Sequence, residues 1–138
     1  MRRYILDTNA VNALINHLHG VDLRAQRARR SGAKVGTCGP VVGEFFYGLE
    51  LSSSRDDNMK RATVGVRKLT LWPFDLAAGV EFGRLRAELR RIGRAMQIVD
   101  MQLAATALTM GNCTVITTDT DLSAVPGLCV ENWVTPAP

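Results

Sequence analysis

The sequence predicts an α/β fold, a three-layer αβα sandwich around a central, mostly parallel sheet. Short apolar strand candidates at Arg3–Leu6, Val35–Cys38 and Val115–Ile116 are separated by stretches of helical periodicity. Strands divided by helices imply parallel pairing and right-handed crossovers. The first strand runs into Asp7 and the third is followed by Asp119, and open α/β sheets bind ligands beyond the carboxyl ends of their strands. With 138 residues and 46% hydrophobic content, residues 1–138 read as one domain, large enough to bury its own core.

In chain order, Arg3–Leu6 is a short buried strand and residues 10–18 a helix, with Asn9 available as its N-cap. Val21–Arg30 is a second helix, ended by Ser31-Gly32, and Val35–Cys38 the next strand. Gly39-Pro40 opens a third helix, since proline is tolerated in a first turn. Val42, Phe45, Phe46 and Leu49 give that helix an i, i+3, i+4, i+7 stripe. The polar run Ser52–Asn58 reads as a surface loop, residues 59–68 as a helix, and Leu69–Phe74 as containing a strand stopped near Pro73. A long helix over residues 75–92 turns Phe82, Leu85, Leu89 and Ile92 inward, and a sixth at Ile98–Met110 ends at Gly111-Asn112. A strand through Val115-Ile116, a loop and a short strand at Leu128–Val130 complete the chain. There is no internal repeat, low-complexity tract or linker.

Cys38, Cys113 and Cys129 are odd in number and far apart, which disfavours a disulfide framework and a zinc site; they read as reduced, buried small hydrophobes. His17 and His19 lack a carboxylate or cysteine at ligand spacing and read as a helix end or solvated loop. No apolar run approaches the roughly 20 residues of a membrane span. Met1-Arg2-Arg3 leads directly into a strand instead of a secretory apolar region. The expectation is a cytoplasmic protein without a membrane segment.

Four acids carry the chemistry: Asp7, Glu44, Asp100 and Asp119. Taken singly, each has a plain alternative. Asp7 could cap the first helix. Glu44 lies off the apolar stripe and would by default be an ordinary exposed glutamate. Asp100, in the first turn of its helix, complements the dipole, and Thr118-Asp119-Thr120-Asp121 could be an Asx turn. Converging, they would need compensation. Two unit charges about 4 Å apart repel by about 4 kcal/mol at an effective dielectric near 20, against a domain stability of about 5–15 kcal/mol. Hard oxygen ligands with few neutral partners suit Mg²⁺ or Mn²⁺ and point towards metal-dependent phosphoryl chemistry. The formal net charge is +4, and with four acids engaged in a cleft the remaining surface is more basic still. Arg24, Arg27, Arg29, Arg30 and Lys34 form one basic cluster, and Arg84, Arg86, Arg90, Arg91 and Arg94 another. Each suits a phosphate backbone or a solvated helix face.

Four segments, in order and spanning essentially the whole chain, resemble the PIN domain nucleases, specifically the VapC toxins of toxin–antitoxin pairs. They are Tyr4-Ile5-Leu6-Asp7-Thr8-Asn9; Val41 to Leu49 around Glu44; Gly93 to Asp100 with Leu103 to Ala107; and Thr117 to Leu122 with Val125 to Leu128 and Val130 to Trp133. The resemblance implies that Asp7, Glu44, Asp100 and Asp119 hold one or two Mg²⁺ or Mn²⁺ ions. It also implies that Thr117 hydrogen-bonds within the site, that Asn9 helps orient the first carboxylate, and that Asp121 is a second acid beside Asp119. Ala95 and Met96 stand where many relatives carry proline. The implied activity is endoribonuclease cleavage by a metal-activated water, in a homodimer with a cognate VapB antitoxin covering the groove. Phe45, Phe46, Tyr47 and Trp72 offer apolar surface for such a dimer. Two other classes remain: a non-catalytic PIN-like RNA-binding or scaffolding module, and an acid-based phosphatase. The phosphatase usually demands a second aspartate two residues after the first, where Asn9 stands.

Overall fold

A computed structural model describes residues 1–135. The strands are β1 (Arg3–Leu6), β2 (Lys34–Cys38), β3 (Thr70–Trp72), β4 (Cys113–Ile116) and β5 (Cys129–Glu131). The helices are α1 (Thr8–Ile15), α2 (Val21–Arg30), α3 (Gly39–Glu50), α4 (Arg55–Arg67), α5 (Leu76–Arg91), α6 (Ile98–Met110) and α7 (Thr120–Ser123). The five strands form one sheet in the order β3-β2-β1-β4-β5, every pair parallel. This is the three-layer α/β architecture expected from the strand–helix alternation.

β1 and β4 lie at the centre, in register from Arg3 opposite Cys113 to Leu6 opposite Ile116. Ile5, Leu6, Val115 and Ile116 are almost wholly buried, as apolar runs covered on both faces must be. Leu103, Ala104, Val41, Val11 and Leu122 close over them from the helices. At the sheet's other side β2 and β3 approach closely at Gly36, where a Cβ would collide with the carbonyl of Thr70. The buried Thr37 donates its hydroxyl to the Leu6 carbonyl at 2.7 Å, tying β2 to the end of β1. The chain adds β2 and β3 on one side of β1, then crosses back to place β4 on the other. That reversal is the switch point of an open α/β sheet, and it lies between the ends of β1 and β4.

Several local expectations need correction. Asp7, not Asn9, is the N-cap of α1, so that helix begins at Thr8 and ends by Ile15. The polar run after Ser52 is loop only to Ser54. Arg55 to Asn58 form the first turn of α4, where Asp56 and Asp57 favour the positive end of the helix dipole. Ile92 is the exposed C-cap residue of α5, one position past the helix and beyond the reach of its core face. Residues 120–123 form a short helix, and Cys129 is exposed on the sheet's edge while Cys38 and Cys113 are buried. Of the four aromatics read as dimer surface, Phe45 is buried and Phe46 and Trp72 pack against the core. Of these four only Tyr47 is strongly exposed; on α5, Leu76 and Val80 are exposed as well.

Candidate active site

Asp7 is where the sheet meets its ligand end. Its backbone N–H continues the ladder by donating to Ile116 O at 3.1 Å, after which the chain turns into α1. Oδ1 accepts from the Ala10 N–H at 2.8 Å, capping the helix, and Oδ2 accepts from the Thr117 hydroxyl at 2.5 Å. The capping role and the site role are therefore carried by one carboxylate, one oxygen each, and the side chain is buried with a single orientation. Asn9 lines the same cavity, but its exposed side chain is not what holds Asp7.

Thr117, one residue beyond β4, organises the other side. Its Oγ1 accepts the Asp119 N–H at 2.9 Å, and Asp119 Oδ1 accepts the Asp121 N–H at 2.8 Å, capping α7. Asp121 itself pairs with Arg94 at 3.2 Å, linking α7 to the loop before α6. Asp119 faces the cavity and Asp121 does not line it.

Glu44 comes from the second turn of α3 and is held by the Thr8 hydroxyl, which donates to Oε1 at 2.5 Å. Sequence spacing missed Thr8, whose role is visible only once α1 and α3 lie side by side. Gln97, the N-cap residue of α6, is a second member of the lining that the motifs left out. Asp100 enters from the first turn of α6.

Asp7, Glu44, Asp100 and Asp119, from four separate segments, thus line one cavity of about 240 Å³ together with Thr8, Asn9 and Gln97. Neither lysine nor arginine lines it. Asp100 carries the electrostatic consequence. Burial, then the negative charges of Asp119, Asp7 and Glu44, push its carboxyl up to about 6. Burial also raises Asp7, working against the hydrogen bonds from Thr117 and Ala10. Among the described residues no three His, Cys, Asp or Glu side chains are drawn together tightly enough to cage an ion by themselves.

Residues 4–128 match the family model for the PIN domain. The chain belongs to the PIN domain family. Among similar proteins, "Ribonuclease VapC2" of Haemophilus influenzae is 28% identical over 97% of this chain and all of its own length. The "tRNA(fMet)-specific endonuclease VapC" of Shigella flexneri is 28% identical, covering 96% of this chain and 99% of its own. Among solved structures, VapBC2 from Rickettsia felis, crystallised with a fragment of its promoter DNA, superposes with a TM-score of 0.87 at 24% identity. That match covers 95% of this chain and 98% of the other. The PIN fold is thus shared over nearly the full length, as the four motifs implied.

The predicted basic patch on α5 is only partly available. Arg84 is engaged by Glu81 and Glu88, and Arg86 stacks over Phe82. Arg94 is paired with Asp121, leaving Arg90 and Arg91, exposed in the last turn of α5, as its open cations among the described residues. None of the five lines the acidic cavity.

Proposed function

We propose that this PIN domain is a VapC-type endoribonuclease, the toxin of a type II toxin–antitoxin pair, acting in the cytoplasm on RNA phosphodiester bonds. The observation that carries this is the convergence of Asp7, Glu44, Asp100 and Asp119 on one cavity at the sheet's switch point without a cationic side chain. The ribonuclease and VapBC relatives support the substrate class and a VapB-like partner.

The donor set fits Mg²⁺ or Mn²⁺. It offers hard oxygens only, and the burial and, after it, the mutual repulsion that raise Asp7 and Asp100 are what a divalent ion offsets. Asp7 and Asp100 would be direct ligands, with Glu44 and Asp119 completing the set. Bound there, one or two ions supply Lewis acidity towards the phosphoryl oxygens and a water acidic enough to attack phosphorus.

The chain's own contribution is positioning. Asp7 is locked by its two hydrogen bonds, Glu44 by Thr8, and Asp119 by the turn that Thr117 nucleates. Asp100, held up to about 6 by burial and by the neighbouring acids, is the carboxylate whose charge a bound cation would most relieve. A purely RNA-binding module fits this geometry poorly, since four uncompensated carboxylates repel a phosphate backbone. The exposed apolar side chains of Tyr47, Leu76 and Val80 are available to a homodimer interface. No described helix is long and apolar enough to cross a membrane.

The test is incubation of purified, antitoxin-free protein with total cellular RNA in Mg²⁺, Mn²⁺ or EDTA, beside Asp7→Asn. The expected result is a set of discrete new ends that need metal and disappear in the variant. Cleavage surviving EDTA, or undiminished in Asp7→Asn, would refute the assignment.

A further inference from the structure

A second cavity, of about 310 Å³, adjoins the acidic one and shares Asp7 and Asn9 with it. Its chemistry is different. The cavity is lined by apolar residues of α1 and β4 and by the exposed Asn9, Asn12, His19, Thr118 and Asn132. We propose that this cavity is a nucleobase subsite, receiving an unpaired base next to the phosphate held at the acids; the inference rests on the ribonuclease assignment above.

Three features argue for a base as occupant. First, continuity: a strand whose phosphate sits against Asp7 must send a flanking nucleotide one way or the other, and this cavity is lined by that same residue. Second, the polar groups have hydrogen-bonding capacity to spare. The Asn12 amide oxygen accepts from Asn16, and the Asn132 oxygen accepts from the Val134 N–H, which among the described residues leaves both amide NH₂ groups for a ligand. Amides that donate and accept in one plane are suited to base edges. Third, the His19 wall is built in advance. His17, His19 and Gly20 all have positive φ, and the His19 carbonyl accepts from the Thr135 N–H at 2.7 Å. His19 is exposed and lines the cavity, whereas His17 pairs with Asp22 instead. Single-stranded RNA is characteristically read by stacking unpaired bases on such rings and hydrogen-bonding their edges. The bland sequence reading of His19 as loop is right about its backbone and silent about this.

The experiment is an abasic scan. A single-stranded RNA carrying one mapped cut is made with an abasic residue at each position in turn, and kcat/KM is measured with the wild type, His19→Asn and Asn132→Asp. Asparagine tolerates the left-handed backbone at position 19, and aspartate keeps the oxygen that holds Val134 while removing the amide donor. One abasic position beside the cut should cost the wild type roughly tenfold or more. The same lesion should cost His19→Asn little further, and Asn132→Asp should change which base is preferred there. Equal sensitivity of wild type and His19→Asn at every position overturns the subsite while leaving the ribonuclease assignment intact. Unchanged cleavage by His19→Asn with lost affinity for a co-expressed antitoxin also overturns it, reassigning the cavity to a protein partner. Failure of the wild type to cut any RNA overturns both.

Discussion

The acidic cavity and the outer face of α5 use the same functional group to opposite ends. On α5, Glu81 and Glu88 flank Arg84 at 2.5 and 2.7 Å, and the guanidinium holds Glu81 below the usual carboxylate range. In the cavity, burial and then the charges of other acids push Asp100 up to about 6. The pair on α5 is complete within one helix, exposed and worth little to the fold. The set in the cavity is assembled from four segments distant in sequence and is electrostatically incomplete. A domain of marginal stability keeps such repulsion only where something else is to bind.

The sharpest way to break that comparison is to neutralise one carboxylate in each region. Asp7→Asn or Asp100→Asn should lower metal-dependent RNA cleavage by at least about 10²-fold, since loss of even an indirect support of a metal ligand costs about 10–100-fold. Glu81→Gln should leave cleavage unchanged within about twofold, its charge being spent on Arg84. Equal losses in both regions, measured as initial rates at saturating Mg²⁺, would erase the distinction.

Thr117→Val tests how far the cavity depends on its hydrogen bonds. The Thr117 hydroxyl both donates to Asp7 and accepts from Asp119, so valine leaves a buried carboxylate oxygen without its partner. The expected cost is about 1–3 kcal/mol of stability and a fall of about 10–100-fold in cleavage. Thr8→Val, at the half-buried Glu44, should cost less on both counts. A chemical-denaturation curve and a rate for each variant check the ranking, and a Thr117→Val protein as stable and active as the parent would defeat it.

How much of this was legible in the sequence differs by element for physical reasons. Val21–Arg30 and Ile98–Met110 were bounded correctly because their ends carry local signals, Ser31-Gly32 and Gly111, that tertiary contacts do not override. The start of α4 was hidden by its polarity: a first turn of Arg55, Asp56, Asp57 and Asn58 looks like loop until Ala62 and Val66 are seen buried one and two turns later. Asp7 was legible from its place at a strand end, but assigning the cap to Asn9 treated capping and site as alternatives, whereas a carboxylate has two oxygens. Glu44 was legible only through the family resemblance, because the contact that places it, with Thr8, spans two helices. Arg84 and Arg94 illustrate the converse. A run of arginines reads as an open patch until the structure shows which of them already have partners.

The smallest expected effect concerns stability, and its sign opposes that of activity. An Asp100 carboxyl near 6 in the folded protein and near 3.8 in the unfolded chain means that, between those values, the folded state binds more protons. The stabilisation that protonated Asp100 provides is fully present below about 3.8 and is lost as pH rises through about 6. Protein kept free of divalent ions should therefore gain stability at pH 8 from Asp100→Asn. Because the group is only half-buried, the gain after solvent screening should be about 1 kcal/mol, a few degrees in Tm. At pH 4 the two proteins should converge, and with Mg²⁺ at pH 8 the order should reverse, since a ligand that binds only the folded state stabilises the protein still able to hold it. Melting curves at pH 4, 6 and 8 with and without Mg²⁺ measure all three. A variant less stable than the parent at pH 8 without metal would mean that Asp100 supports the fold instead of straining it, and would remove it from the incomplete set that the comparison with α5 defines.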